Sequence, residues 1–178
     1  MTKRYGNGIY IGKFCPMHFG HLSVINTMLY RCERVYVIFY HDEQIERDIK
    51  TNDKFDYPIS QRIADARAIL CNPRISVLEL EIPNNITFPD DKELIKEQIH
   101  IEGNLDVQYI GLEEEHVYKD HIYADTYECA GIYTIETEEG IQKNLHSKDI
   151  RNNLTHHKTY IPRLIRDKID NFFKRVRR

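Results

Sequence analysis

The sequence predicts an α/β fold, a doubly wound parallel sheet of about five strands with helices on both faces. Two observations predict it. Short β-like runs alternate along the chain with segments of helical periodicity, a pattern typical of parallel strands joined by right-handed crossovers. One of these runs, residues 34–40 (RVYVIFY), is nearly continuous in apolar residues, as expected of a central strand that is covered on both faces.

The first half of the chain supplies two strands and two helices. Residues 8–14 (GIYIGKF) and 34–40 form the strands. Between them, apolar residues recur with helical spacing from Gly20 onward and predict a helix of about three turns. Residues 41–57 are polar and form a loop or a short helix. Pro58 then starts a helix with one apolar face.

The second half supplies the remaining elements. Residues 74–82 (RISVLELEI), 106–112 (DVQYIGL) and 131–137 (GIYTIET) are the third, fourth and fifth strands. A helix over residues 89–101 begins with acidic residues, which favour the positive end of a helix dipole. A last helix runs from about Pro162 to the end of the chain.

Composition limits the class of protein. The 178 residues are 41% hydrophobic and 30% charged, with a net charge of −3. We therefore expect a single globular domain, residues 1–178, without a nucleic-acid partner. No apolar run approaches membrane-spanning length and no signal-peptide core is present, so no membrane partner is expected. The four cysteines form no C-x-x-C pair, which favours reduced thiols and the cytoplasm.

Residues 10–25 (YIGKFCPMHFGHLSVI) carry an unusual cluster at the carboxyl end of the first predicted strand. Ligands of doubly wound sheets bind at this edge. A loop that enters a helix presents backbone N–H groups to an anion, and glycines allow close approach. The residues that indicate such a site are Gly12, Lys13, His18, Gly20 and His21. No acid orients a Ser–His pair, so the cluster favours a charge-stabilising clamp for phosphoryl or nucleotidyl transfer.

The motif GKFCPMHFGH (residues 12–21) resembles the G-x-F-x-P-x-H-x-G-H signature of the nucleotidylyltransferase superfamily. Its form is most similar to that of the nicotinamide-nucleotide adenylyltransferases, including the adenylyltransferase domain of bifunctional kinase–adenylyltransferase regulators. Cytidylyltransferases and pantetheine-phosphate adenylyltransferases usually carry Asp after the Phe, where this chain has Cys15. The resemblance implies a Rossmann-like fold.

A second motif, residues 145–153 (LHSKDIRNN), resembles the I-S-x-T-x-x-R signature of the same superfamily, which opens a helix near the C-terminus. Ser147 and Arg151 match it, whereas His146 and Lys148 replace the usual residues. By itself this segment is an ordinary helix start with Ser147 as the N-cap residue. In combination with the first motif, the functional interpretation is favoured.

Two further segments extend the resemblance over nearly the whole chain. Residues 159–162 (TYIP) resemble the continuation of the second signature in the nicotinamide-nucleotide branch. Residues 109–116 (YIGLEEEH) resemble the strand-end segment that lines the adenosine site, which places Gly111 at that site.

The resemblance implies transfer of AMP from ATP to a phosphate-bearing acceptor. It implies that His18 and His21 donate to the α and β phosphates, while Lys13 and Arg151 hold the β and γ phosphates. The residues expected to contact the nucleotide are Gly12, Phe14, Gly20, Gly111 and Ser147. Mg²⁺ is expected to enter with ATP, held mainly by phosphate oxygens and water. No protein metal site is expected from the other histidines.

Nicotinamide mononucleotide is the acceptor that the resemblance favours. Asp42 is either an acidic residue near this second substrate or a solvated loop acid. The family often stacks the pyridine ring on Trp, which this chain lacks; Phe88, Tyr57 or Tyr118 are the candidate substitutes. CTP or another phosphomonoester is the alternative substrate. A non-catalytic nucleotide-binding regulatory module is the alternative of another class. The oligomeric state stays open, with a homo-oligomer one option.

Overall fold

A five-stranded, all-parallel sheet forms the centre of the fold. In the computed structural model, residues 4–52, 55–82, 95, 97–101, 103–112, 115, 119–131, 134–136 and 142–176 are described, with backbone alone for 135, 136, 142, 143 and 170–176. The strands are β1 (Tyr5–Gly12), β2 (Cys32–His41), β3 (Ile75–Glu81), β4 (Val107–Gly111) and β5 (Thr126–Ala130). Their order is β3-β2-β1-β4-β5. The predicted doubly wound α/β class is confirmed, with its switch point between β1 and β4.

The helices connect and flank these strands. They are α1 (Phe19–Arg31), α2 (Glu43–Thr51), α3 (Ile59–Ile69), α4 (Ser147–Asn152), α5 (Leu154–His157) and α6 (Arg163–Val176), with a short 3₁₀ turn at Lys158–Tyr160. A separate antiparallel pair, β6 (Thr134–Glu136) and β7 (Gln142–Asn144), precedes α4. The polar segment after β2 thus contains a short helix, and the helices predicted near Gly20, Pro58 and Pro162 are confirmed.

Two apolar clusters cover the two faces of the sheet. Neighbouring residues of one strand point to opposite faces, so Tyr10 belongs to one cluster and Ile9 to the other. The first cluster contains Met28 of α1 and side chains of α3 and α6. The second contains Ile95, from the crossover between β3 and β4. Because both faces are covered, the centres of β1 (residues 9–11) and β2 (residues 35–40) are apolar.

The fifth strand differs from the prediction. Residues 131–137 were expected to form it, but β5 ends at Ala130, and residues 134–136 pair antiparallel with β7 instead. The physical reason is Gly131, whose φ of +79° turns the chain out of the sheet. β5 is an edge strand and needs no continuous apolar run. Its Glu128 is part-buried and accepts a hydrogen bond from the Tyr109 hydroxyl at 2.9 Å.

Two smaller predictions have different outcomes. The first strand ends at Gly12, before the predicted end at residue 14, because Phe14 has a φ of +43° that a strand does not allow. The helix predicted over residues 89–101 lies largely outside the described residues. Among the described helices, none has the length and apolarity needed to cross a membrane.

Candidate functional site

A cavity of about 470 Å³ lies at the carboxyl ends of β1 and β4, where the helices α1 and α4 begin. Every predicted catalytic and nucleotide-contacting residue lines it: Gly12, Lys13, Phe14, His18, Gly20, His21, Gly111, Ser147 and Arg151. The two sequence motifs lie 124 residues or more apart along the chain, and the sheet topology brings them to one wall. The cavity is therefore the candidate active site.

Phe14 anchors the loop that follows β1, here called the signature loop (residues 13–18). Its side chain is 2% exposed and packs edge-on against the His21 ring, with 4.9 Å between ring centroids. It also contacts Phe39 of β2, at 4.7 Å between centroids. A positive φ at a non-glycine residue costs about 1–3 kcal/mol and persists only where surrounding contacts hold it. The packing contacts of the Phe14 side chain thus stabilise the strained conformation of the loop.

His18 and His21 cap the first turn of α1 through their Nδ1 atoms. His18 Nδ1 accepts a hydrogen bond from the Gly20 N–H at 3.1 Å, and His21 Nδ1 accepts one from the His18 N–H at 3.2 Å. The two rings stack with 3.7 Å between their centroids. Because each Nδ1 is an acceptor, the proton of each neutral ring resides on Nε2. The capping geometry therefore makes both histidines Nε2–H donors.

Burial keeps both rings neutral. It lowers the pKa of His18 to about 3, and the proximity of His146 adds to this shift. Burial also lowers the pKa of His21 well below its ordinary value, with His18 as the second cause. The Nε2 atom of His18 is buried and has no hydrogen-bond partner among the residues that the structure describes. A buried donor without a partner carries a desolvation cost of about 1–3 kcal/mol, which an anion in the cavity would relieve.

The low pKa of His18 predicts that the folded protein loses stability in acid. The unfolded chain binds a proton at His18 below pH ~6.5, whereas the folded chain does not until about pH 3. The free energy of unfolding therefore falls as the pH falls through this window, by up to ~1.4 kcal/mol per pH unit for this group. Urea unfolding at about pH 7.5 and about pH 5 measures it. We expect His18→Asn to lose less stability than the wild type over this interval; equal losses in both proteins would contradict the buried, neutral His18.

Two residues of the second motif form hydrogen bonds with the signature loop. Arg151 donates from Nη1 to the Cys15 carbonyl at 2.6 Å, and the Ser147 hydroxyl donates to the Pro16 carbonyl at 3.1 Å. These two bonds hold the start of α4 against the start of α1. Both residues also line the cavity. The matched residues of the second motif are therefore structural partners of the first motif as well as candidate ligand contacts.

Lys13 supplies a second cation to the cavity wall. Burial lowers its pKa from the ordinary value, and the nearby Arg151 lowers it further. Its ammonium group lies 5.8 Å from the centroid of the Tyr40 ring, within the range of a cation–π contact. An incoming anion would oppose this lowering of the Lys13 pKa, because negative charge favours the protonated amine.

Comparison with known families decides the classification. A profile of the cytidylyltransferase-like family matches residues 9–153, which includes both motifs. The chain belongs to the cytidylyltransferase-like family. This confirms the predicted membership of the nucleotidylyltransferase superfamily.

Solved structures share the fold of this family member. A NadR protein in complex with NR is 25% identical with a TM-score of 0.61, over 92% of this chain and 46% of that one. A bifunctional NMN adenylyltransferase/ADP ribose pyrophosphatase from Francisella tularensis is 15% identical with a TM-score of 0.63, over 96% of this chain and 50% of that one. This chain thus spans about half the length of both. A Vibrio parahaemolyticus protein, provisionally assigned as a nicotinate-nucleotide adenylyltransferase, is 19% identical with a TM-score of 0.55, over 93% and 98% of the two chains.

The two departures from the second signature of the family both face the site. His146 is the N-cap residue of α4, and its N–H donates to the Asp149 carboxylate at 3.2 Å. The interpretation with Ser147 as N-cap is thus off by one residue. Lys148 is exposed, and both side chains line the cavity. The substitutions therefore leave the helix start intact and place two further nitrogen-bearing side chains beside the predicted phosphate contacts.

The two described candidates for the second substrate, Asp42 and Tyr57, do not line this cavity. Asp42 is the N-cap residue of α2 and accepts a hydrogen bond from the Ile45 N–H at 2.6 Å. It is not among the residues that line the cavity. Tyr57 is 7% exposed, and its hydroxyl donates to Asp65, so it is a core residue and not a stacking surface. Phe88 and Tyr118 lie outside the described residues.

Sequence reasoning missed two residues that shape the site. Gly131 lines the cavity beside α1, and a Cβ atom there would lie 2.4 Å from Val24 Cγ2. Arg62 is buried behind the signature loop and donates to the Lys13 carbonyl at 2.7 Å. The position of Arg62 beside Ile63 and Ala66 on a predicted amphipathic helix indicates burial, but it does not indicate contact with the signature loop. Among the described residues, no group of three or more His, Cys, Asp or Glu is placed to hold a metal ion.

Proposed function

We propose that the protein is a nucleotidylyltransferase that moves the AMP moiety of ATP onto the phosphate of nicotinamide mononucleotide, giving NAD and pyrophosphate. The observation that carries this proposal is the His18 Nε2–H group. It is a preorganised, buried donor that has no partner in the described part of the chain, and it lies in the same cavity as Lys13 and Arg151. A site that presents unpaired donors and cations together suits a polyphosphate ligand.

In the proposed step, a phosphate oxygen of the acceptor attacks the α-phosphorus of ATP. The new oxygen–phosphorus bond forms as the bond from the α-phosphorus to the bridging oxygen breaks, and pyrophosphate leaves with the bonding electron pair. Negative charge grows on the non-bridging α-oxygens and on the departing oxygen. Catalysis of such a transfer consists mainly of positioning and charge stabilisation.

The residues divide this work by their chemistry. His18 and His21 donate from Nε2 to oxygens whose charge increases. They do so as neutral rings whose tautomer is fixed, because each Nδ1 already accepts from a backbone N–H group. Arg151 and Lys13 hold the outer phosphates, the first through a planar fork and the second as a point charge. Mg²⁺ would accompany the triphosphate as part of the substrate, bound by phosphate oxygens and water.

Support for the acceptor comes from the relatives and from the motifs. NadR and the Francisella protein are described as an NR complex and as an NMN adenylyltransferase, respectively. Two features of this chain resemble the same branch. One is Cys15, at the position where cytidylyltransferases usually carry Asp, and the other is the TYIP segment, residues 159–162. Cytidylyl transfer from CTP is the competing reaction, since the family profile is described as cytidylyltransferase-like.

The test is product formation from defined pairs. We expect NAD and pyrophosphate from ATP with nicotinamide mononucleotide, and no product from CTP with glycerol 3-phosphate. Selectivity for the base rests on buried polar pairings, so a wrong base should be rejected strongly. Turnover of the second pair alone would replace the proposal with cytidylyl transfer. Binding of ATP without turnover of any acceptor in a panel of phosphomonoesters would favour the regulatory module, for which His146 and Lys148 are the motivating residues.

A further inference from the structure

A buried cation lies directly behind the signature loop. Arg62 of α3 is 1% exposed, and its Nη1 donates to the Lys13 carbonyl at 2.7 Å. Its Nη2 forms an ion pair with Glu46 of α2. Arg62 does not line the cavity. The Arg62 guanidinium therefore contacts the back of the signature loop and not a ligand in the cavity.

The bond from Arg62 fixes one peptide plane of the loop. In a planar trans peptide the N–H group points opposite to the preceding carbonyl, so holding the Lys13 carbonyl toward α3 directs the Phe14 N–H away from it. Phe14 has the strained φ of +43°, which needs external support. Later carbonyls of the loop are held by Arg151 and Ser147, from the side of α4. Arg62 supplies the matching support at the start of the loop.

Glu46 is the counter-ion that stabilises the buried guanidinium of Arg62. An arginine side chain that is 0% exposed loses its hydration, and the loss is offset only where a counter-ion and hydrogen-bond acceptors are fixed in place. Glu46 lies one turn into α2, whose start is fixed by the Asp42 cap. The chain of contacts from α2 through Arg62 to Lys13 is thus continuous.

We propose that Arg62 is a positioning residue for nucleotidyl transfer, which with Glu46 holds the backbone of Lys13 so that this lysine meets the triphosphate. The inference rests on the proposed function. Arg62 acts through Lys13, so its effect should disappear when the Lys13 side chain is absent. A residue that only stabilises the fold would show no such dependence.

The chain offers a matched control one turn further along α3. Asp65 is also fully buried, and it pairs with Lys168 of α6. Asp65 accepts a hydrogen bond from the Tyr57 hydroxyl at 2.7 Å as well. This ion pair joins two helices and makes no described contact with the signature loop. Lys168 itself is exposed, so Lys168→Met removes an ion pair that is buried only on the Asp65 side, and it does so without touching the site.

The experiment is a double-mutant cycle on Arg62→Met and Lys13→Ala, with kcat/KM and melting temperature measured for each variant. We expect Arg62→Met to lower kcat/KM by ~10–100-fold, because small displacements of positioned groups cost this much. In the Lys13→Ala background the same change should cost less than about twofold. Lys168→Met should lower the melting temperature but keep kcat/KM within about twofold of the wild type.

The inference would be overturned if the fold-losses in kcat/KM of the two single variants simply multiplied in the double variant. It would also be overturned if Arg62→Met were as active as Lys168→Met. If Arg62→Met does not fold, Glu46→Gln replaces it in the same cycle, with a smaller loss expected and the same requirement for coupling to Lys13. If the wild type forms no product from any pair, the proposed function fails by itself. The cycle is then measured on the dissociation constant for ATP by calorimetry, where additive losses would contradict the role of Arg62 and coupled losses would support it.

Discussion

His18→Asn is expected to lower the turnover of nucleotidyl transfer by ~10²–10³-fold, the usual cost of losing one preorganised donor to developing charge. The substitution separates the two functions of this residue. Asn is a favourable N-cap residue, and its side-chain oxygen can accept from the Gly20 N–H as His18 Nδ1 does. It has no group at the position of Nε2. Steady-state kcat and the melting temperature, measured on the same preparations, decide the prediction.

Two further variants complete this test. His18→Ala removes the cap as well and should cost ~1 kcal/mol of stability in addition to the turnover. His156→Asn changes a histidine of α5 that does not line the cavity, and it should keep full turnover. A well-folded His18→Asn enzyme with nearly normal kcat would remove His18 from the catalytic account.

Arg151→Lys is expected to lower kcat/KM by ~10–100-fold. Each hydrogen bond to a charged group contributes ~1.5–3 kcal/mol. Arg151 donates from Nη1 to the Cys15 carbonyl, and it also lines the cavity. Lysine is shorter and carries a single nitrogen, so it cannot match a planar fork that serves two partners. The loss should appear in the kinetic constants for ATP more than in the melting temperature.

The control is Arg163→Lys, on a residue of α6 whose side chain is 85% exposed. It should leave both the kinetics and the stability unchanged. If Arg151→Lys also retained wild-type kcat/KM for ATP, the guanidinium would be a brace for the signature loop only, without a role at the phosphates.

The parts of the fold that could be predicted are those with a strong local signal. The centres of β1 and β2 are apolar runs. The helix α1 begins within the segment HFGH, residues 18–21, and its apolar residues have clear helical spacing. The fifth strand could not be predicted, because TYECA carries polar residues at an edge and Gly131 redirects the chain. A neighbouring segment with more β-branched residues, GIYTIET, offered the stronger but misleading signal.

The candidate site shows the same division. His18, His21 and Arg151 were predicted from two motifs that resemble family signatures, and the sheet topology explains why these distant motifs line one cavity. The tautomers of the histidines could not be found that way, since they depend on which backbone N–H each Nδ1 accepts from. Arg62 was missed for a related reason. Its partner is a backbone carbonyl, and the sequence pattern carries no information about carbonyl directions.

Nucleotidyl transfer breaks the bond between the α-phosphorus and the bridging oxygen of ATP, and isotope-labelled ATP shows directly whether this bond is the one that breaks. The wild-type protein is incubated with nicotinamide mononucleotide and ATP labelled with ³²P at either the α or the γ position. We expect the α label in NAD and the γ label in pyrophosphate, with both transfers lost to the same degree in His18→Asn. Transfer of the γ label to the acceptor, or an α label that stays in ATP while the protein binds both substrates, would contradict nucleotidyl transfer at this site.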